Sequence, residues 1–156
     1  MNKQDILKLL HEQIPTSAFM QVAVRAVESD HVTLSCPLTP NHNHLGTAFG
    51  GSLATMMILA AYSQTYRLIQ GQGHVLIKAS ETKYLRPVDQ EIVAVAFSPP
   101  QQLKEVFCQN FKRKGKAQIE LQALIKLANG QTACTMKAQM VAITKHELDG
   151  ESSPPN

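Results

Sequence analysis

Residues 52–66 read SLATMMILAAYSQTY, and no Lys, Arg, Asp or Glu occurs anywhere between Asp30 and Arg67. From Leu53 to Ala61, apolar groups occupy nearly every position. A helix that is apolar all round has to be buried all round. Over residues 52–69 such a helix would be about 27 Å long, enough to cross a whole small domain. The remainder of the chain has to supply the walls that bury it.

After Gly71 and Gly73 the sequence turns to β-type runs, at 74–86, 91–98, 102–113, 116–128 and 131–144. Asp89, Pro99-Pro100, Lys114-Gly115 and Asn129-Gly130 punctuate them. Asn129-Gly130 between two long runs predicts a two-residue hairpin turn. Upstream, shorter runs at 19–28 and 31–38 predict two strands joined at Ser29-Asp30. Pro37, Pro40, Asn41 and Asn43 then mark a loop. Ile6, Leu9 and Leu10 give residues 3–13 a helical pattern that Pro15 ends. The order is therefore helix, two strands, long buried helix, five strands. That order predicts an α+β fold, an antiparallel sheet curled round the central helix. One domain is expected over residues 1–145, with 1–14 as its N-terminal helix. Residues 146–156 carry no apolar face and are expected to be a disordered tail.

Composition narrows the function classes. A length of 156 residues suits one domain. With 44% apolar and 17% charged residues, the chain is not of the disordered class. Fifteen Lys and Arg against 12 Asp and Glu give +3, a mildly basic balance without the blocks that bind nucleic acid. Trp is absent and stacking platforms are poorly supplied. No run reaches the ~18 apolar residues of a membrane span. The amphipathic, charged N-terminus lacks the apolar core of a signal peptide, so a cytoplasmic location is expected. Cys36, Cys108 and Cys134 are odd in number and widely spaced, which suits reduced thiols in a core.

The element order, together with Asn43, Gly46, Thr47, Phe49-Gly50-Gly51-Ser52 and the later Tyr84-Leu85-x-Pro87-Val88, resembles the hotdog fold of acyl-CoA thioesterases. Over roughly residues 14–144, the chain resembles a thioesterase domain family also found fused C-terminal to bacterial acetyltransferases. The resemblance implies hydrolysis of an acyl-CoA or acyl-carrier thioester to free acid and thiol. It implies no cofactor beyond the coenzyme A of the substrate. It also implies a homodimer, and a dimer of dimers is open. In the related phenylacetyl-CoA-type enzymes, an Asn and the first Gly of a Gly-Gly pair hold the thioester carbonyl, and these fall on Asn43 and Gly50. The His before that pair falls on Phe49. The carboxylate one helical stretch on falls on Ile58, and a Ser on the next strand falls near Ile77. Ile58 also leaves open an acyl-CoA-binding module without turnover. A hotdog dehydratase or hydratase is a further alternative.

Read as chemistry, Phe49-Gly50-Gly51-Ser52 opens a helix whose first N–H groups are unpaired and carry partial positive charge. Such a site stabilises an oxyanion. The structural alternative is a tight turn with Ser52 or Thr47 as cap. Asn43 either orients a carbonyl or water, or holds its loop by an Asx turn. No carboxylate occurs between Asp30 and Glu81. Strand alternation places Glu81 with Ile77, making it the candidate general base, or else an exposed partner of Lys78 or Lys83. His42 and His44 flank Asn43; His44 is a second candidate base, and no ligand set for a metal is visible. Tyr62 lies one turn beyond Ile58, able to meet substrate or to anchor helix to sheet. Met56 and Met57 suit core or acyl pocket. Arg86, and Arg113 within Lys112-Arg113-Lys114-Gly115-Lys116, are either solvated charges or handles for coenzyme A phosphates.

Overall fold

The computed structural model describes residues 1–151. The chain runs α1 (Lys3–Gln13), α2 (Pro15–Phe19), β1 (Ala23–Val27), β2 (His31–Cys36), α3 (Gly50–Leu68), β3 (Gly73–Tyr84), β4 (Ile92–Phe97), α4 (Gln101–Lys114), β5 (Lys116–Lys126), β6 (Thr132–Thr144) and α5 (Lys145–Glu151). The strands form one antiparallel six-stranded sheet in the order β1-β2-β4-β5-β6-β3. α3 packs against β2, β3, β4, β5 and β6. This is the hotdog arrangement, a sheet wrapped on a central helix. No helix among the described residues is long and apolar enough to cross a membrane.

The uncharged stretch is buried on most of its faces rather than all round, with Ile58 and Tyr62 half-buried on the remaining side. Leu53, Met56, Met57, Leu59, Ala60 and Ala61 are buried, and so are the polar Ser63, Gln64 and Thr65. The buried hydroxyls are satisfied inside the helix, Ser63 donating to the Leu59 carbonyl and Thr65 to the Ala61 carbonyl, both at 2.8 Å. α1 closes the helix side with Ile6 and Leu10, both fully buried. Asn2 starts it with a capping box: its side chain accepts from Asp5 N and its N–H donates to the Asp5 carboxylate. Pro15 does end the first helical pattern, and it also opens α2 from the first-turn position that proline tolerates.

Residues 102–113, expected as a strand, lie within α4, so the sheet has six strands rather than seven. The buried pair is Phe107 and Phe111, four apart on one helix face. Lys112, Arg113 and Lys114 occupy the last turn, where cations suit the helix dipole. Gly115 ends it at φ +72, donating its N–H to the Phe111 carbonyl. The basic segment is thus a helix C-terminus, not a hairpin tip.

The Asn129-Gly130 hairpin between β5 and β6 is present, but its turn is not a two-residue one. Gly130 donates to the Leu127 carbonyl and Leu127 to the Gln131 carbonyl, with Gly130 at φ +86. The central pair is Ala128-Asn129, and Gly130 takes the left-handed position that follows such a turn. The expected tail begins instead as α5, while residues 152–156 lie outside the described residues.

Cys36 and Cys134 are buried, and burial pushes their thiols up to about 12 and about 11. They serve as small core residues.

Phe107 is 2% exposed, whereas Leu103, one turn earlier on α4, is 55% exposed. Phe107→Ala should therefore cost about 3–5 kcal/mol in urea unfolding. Leu103→Ala should stay within about 0.5 kcal/mol of wild type.

Candidate functional site

The loop before α3 is fixed by its own amides. Asn41 is buried and donates to the Met20 and Pro37 carbonyls, while its backbone carbonyl accepts from Phe49 N at 2.8 Å. Ala48 N donates to the Val88 carbonyl at 2.7 Å, tying the helix entrance to the segment after β3. Asn43 closes the loop tip. Its Oδ1 accepts from Leu45 N (2.9 Å) and Thr47 N (3.2 Å), and its Nδ2 donates to Thr47 Oγ1 (2.9 Å). An amide side chain has two donors and two acceptor sites. Asn43 therefore forms the Asx turn and keeps one N–H uncommitted.

α3 begins at Gly50 with Phe49 as N-cap, and no side chain caps it. Neither Ser52 nor Thr47 takes that role. Leu53 N is the first to bond inside the helix, to the Phe49 carbonyl at 3.0 Å. The N–H groups of Gly50, Gly51 and Ser52 are left at the positive end of a helix of 19 residues. The glycines have different local reasons. A Cβ on Gly51 would stand 2.5 Å from the Phe49 ring, which lies across it. A Cβ on Gly50 would sit 3.7 Å from Tyr84, an ordinary contact. The Tyr84 hydroxyl donates to the Gly50 carbonyl at 3.2 Å. Phe49 (57% exposed) and Tyr84 (54% exposed) thus form an open aromatic rim at the helix entrance.

Tyr84 belonged to the motif read in the sequence but not to its candidate site residues. Its position follows from strand register. β3 pairs with β6 as Ile77↔Met140, then Ala79↔Gln139, with a bulge at Lys78. Past the bulge, Ser80, Thr82 and Tyr84 pair with Ala138, Met136 and Cys134, which belong to the core on the helix side. Glu81 pairs with exposed Lys137. Strict alternation from Ile77 would have kept Glu81 on the helix side; the extra residue transfers it to the outer face. There it lines a small depression with Lys83, Phe97, Gln122, Thr135 and Lys137.

Ile58 and Ile77 do meet. Together with Leu59, Tyr62, Val75 and Met140 they line an apolar groove of about 440 Å³ between α3 and β3. Tyr62 stacks on Tyr66 with ring centroids 6.1 Å apart, and burial raises its hydroxyl above the usual tyrosine range, with Tyr66 adding to it. Met56 and Met57 are fully buried core residues and do not line the groove.

The remaining candidates divide by place. His42 and His44 are exposed on the loop beside Asn43, and His42 Nδ1 lies 2.9 Å from the Asn43 carbonyl. Arg86 follows Tyr84 and donates to the Thr132 carbonyl at 2.7 Å, at the helix-entrance end of the sheet. Arg113 is at the other end. It closes α4 next to β5, whose first residue Lys116 pairs with Ile143, while Tyr84 pairs with Cys134. Nine residues of extended β6 separate those levels, roughly 30 Å. Among the described residues no three His, Cys, Asp or Glu side chains gather as metal ligands.

Solved structures share this architecture. A protein of unknown function from Chlorobaculum tepidum superposes with TM-score 0.85 at 26% identity, over 92% of this chain and 94% of that one. A "putative thioesterase" from Shewanella oneidensis gives 0.80 at 24% identity, over 90% and 96%. A "probable thioesterase" from Pseudomonas aeruginosa gives 0.78 at 18% identity, over 92% and 97%. Among curated proteins none matches. The family model described as "Putative thioesterase (yiiD_Cterm)" matches residues 3–144. That match spans the whole wrapped sheet and its central helix, and the chain belongs to this thioesterase family.

Proposed function

We propose that the protein hydrolyses acyl-CoA or acyl-carrier thioesters to free acid and thiol, as a homodimer in the cytoplasm. The observation that carries this reading is the N-terminus of α3, uncapped by any side chain and opening on two glycines. A thioester carbonyl oxygen set against the N–H groups of Gly50, Gly51 and Ser52 gains stabilisation as it becomes negative. Water attacks the carbonyl carbon and forms a tetrahedral oxyanion. Its collapse breaks the C–S bond, and the proton taken from water returns to the thiolate. The uncommitted N–H of Asn43 orients the carbonyl or the water. The groove along Ile58, Tyr62 and Ile77 takes the acyl group, and Arg86 faces the phosphates of the thiol carrier.

Of the two bases considered, His44 is the one this reading keeps. Glu81 lies on the outer face, and joining two β3 edges extends the same sheet, so outer residues stay outer. The dimer is supported by β3 itself. It is an edge strand of 12 residues on which Leu76, Ile77 and Tyr84 are exposed. A long apolar edge calls for a strand partner, and a second copy offers the same edge. Ile58 favours one other reading, binding without turnover, because it lies where related enzymes hold a carboxylate.

Thiol release from short, long and aromatic acyl-CoAs tests the reaction. Gly50→Ala should fold normally, since its methyl meets only an ordinary contact, yet lose about tenfold or more in kcat/KM. His44→Ala should fall about 100-fold or more. Glu81→Gln should match wild type. Acyl-CoA binding by calorimetry with no thiol released would decide for the binding module. In sedimentation, wild type should run as a dimer and Ile77→Lys as a monomer; a monomeric wild type would end the dimer proposal.

A further inference from the structure

The C-terminal end of α3 holds a second cavity, of about 440 Å³, lined by Ser29, Gln64, Arg67, Ser98, Lys104 and Cys108 among others. It lies the length of a helix of 19 residues from Gly50, roughly 27 Å. Its lining is mostly polar, unlike the groove at Ile58. Arg67 is partly buried there, and its one side-chain hydrogen bond is to Gln64 Oε1 at 2.8 Å. Gln64 is itself 1% exposed and neutral. No carboxylate among the described residues forms an ion pair with Arg67. Glu28 acts on its charge from a distance, and burial, the larger effect, lowers the guanidinium below its ordinary range. The guanidinium is thus only partly withdrawn from water, with no carboxylate at ion-pair distance. It keeps four N–H donors in hand.

A second cation converges on the same space. Lys104 lies in the first turn of α4, whose N-cap Pro100 offers no side-chain cap. Lys104 N is the first to bond inside that helix, to the Pro100 carbonyl at 3.0 Å, so three earlier N–H groups add positive potential at this end. Asp30, whose backbone carbonyl accepts from Ser98 N, has its carboxylate 2.7 Å from His31 Nδ1.

We infer that this cavity binds a phosphate monoester of a small organic molecule. An arginine fork, a lysine and two serine hydroxyls offer more donors than a carboxylate can use, and they suit the oxygens of a phosphate. The cavity also falls in the size range of organic ligands, leaving room beyond the phosphate. The inference is independent of thioester hydrolysis at Gly50.

Calorimetry at matched ionic strength tests it, with inorganic phosphate and AMP as separate probes. Saturable binding of AMP is expected, weakened about tenfold or more in both Arg67→Gln and Lys104→Gln. Bound AMP should also slow alkylation of Cys108 by iodoacetamide in the native protein. If inorganic phosphate binds as tightly as AMP and is lost in the same variants, the phosphate group alone is the ligand's anchor. Absence of saturable binding for both probes would overturn the inference. So would binding that both variants leave unchanged.

Discussion

Water will not hold α3. Apart from Arg67 in its last turn, it carries no formal charge, and its buried residues fall on most of its faces, the side of Ile58 and Tyr62 being half-buried. Only an enclosure that approaches from several directions can remove so much apolar surface from solvent. A flat sheet covers one side of a helix. A curled one covers most of the circumference, and α1 adds Ile6 and Leu10 to the closure. The position of the two chain features that matter most follows from this. The helix must start where the sheet ends, so its N-terminus opens at one rim of the enclosure and its C-terminus at the other.

The two rims have been given different chemistry. At the first, backbone donors are exposed because side chains have withdrawn: two glycines, an Asn folded onto its own loop, and a Phe lying across Gly51. At the second, charge is supplied by side chains, Arg67 from the end of α3 and Lys104 from the beginning of α4. Between them runs the partly open groove at Ile58 and Ile77, lined with apolar groups and the Tyr62 ring. A central helix thus organises the molecule along its axis as well as around it.

The helix, the antiparallel sheet and the glycine entrance were legible because each rests on local rules: composition over 52–66, alternation, and turn residues. α4 was misread because Leu103, Val106, Phe107 and Phe111 are as compatible with a short apolar run as with a helix, and only burial of Phe107 and Phe111 together decides. The turn at Asn129-Gly130 was found but its centre was displaced by one residue, since Gly130 serves the left-handed position. The fate of Glu81 was not legible at all. Lys78 carries no mark of a bulge, and its status depends on how β3 meets β6. Tyr84 reaches Gly50 for the same non-local reason.

That bulge also uncouples the spacing of β3 in sequence from its spacing on the sheet. Lys78 and Ala79 share the single partner position of Gln139, so one residue of β3 is spare in the ladder. Loss of the Lys78 codon alone would restore unbroken alternation without shortening any pairing beyond it. Every residue from Gly73 to Ile77 and from Ala79 to Tyr84 would then keep its present partner and its present side. The strand can therefore shed or keep this one residue by deletion or insertion without any side chain beyond it changing face.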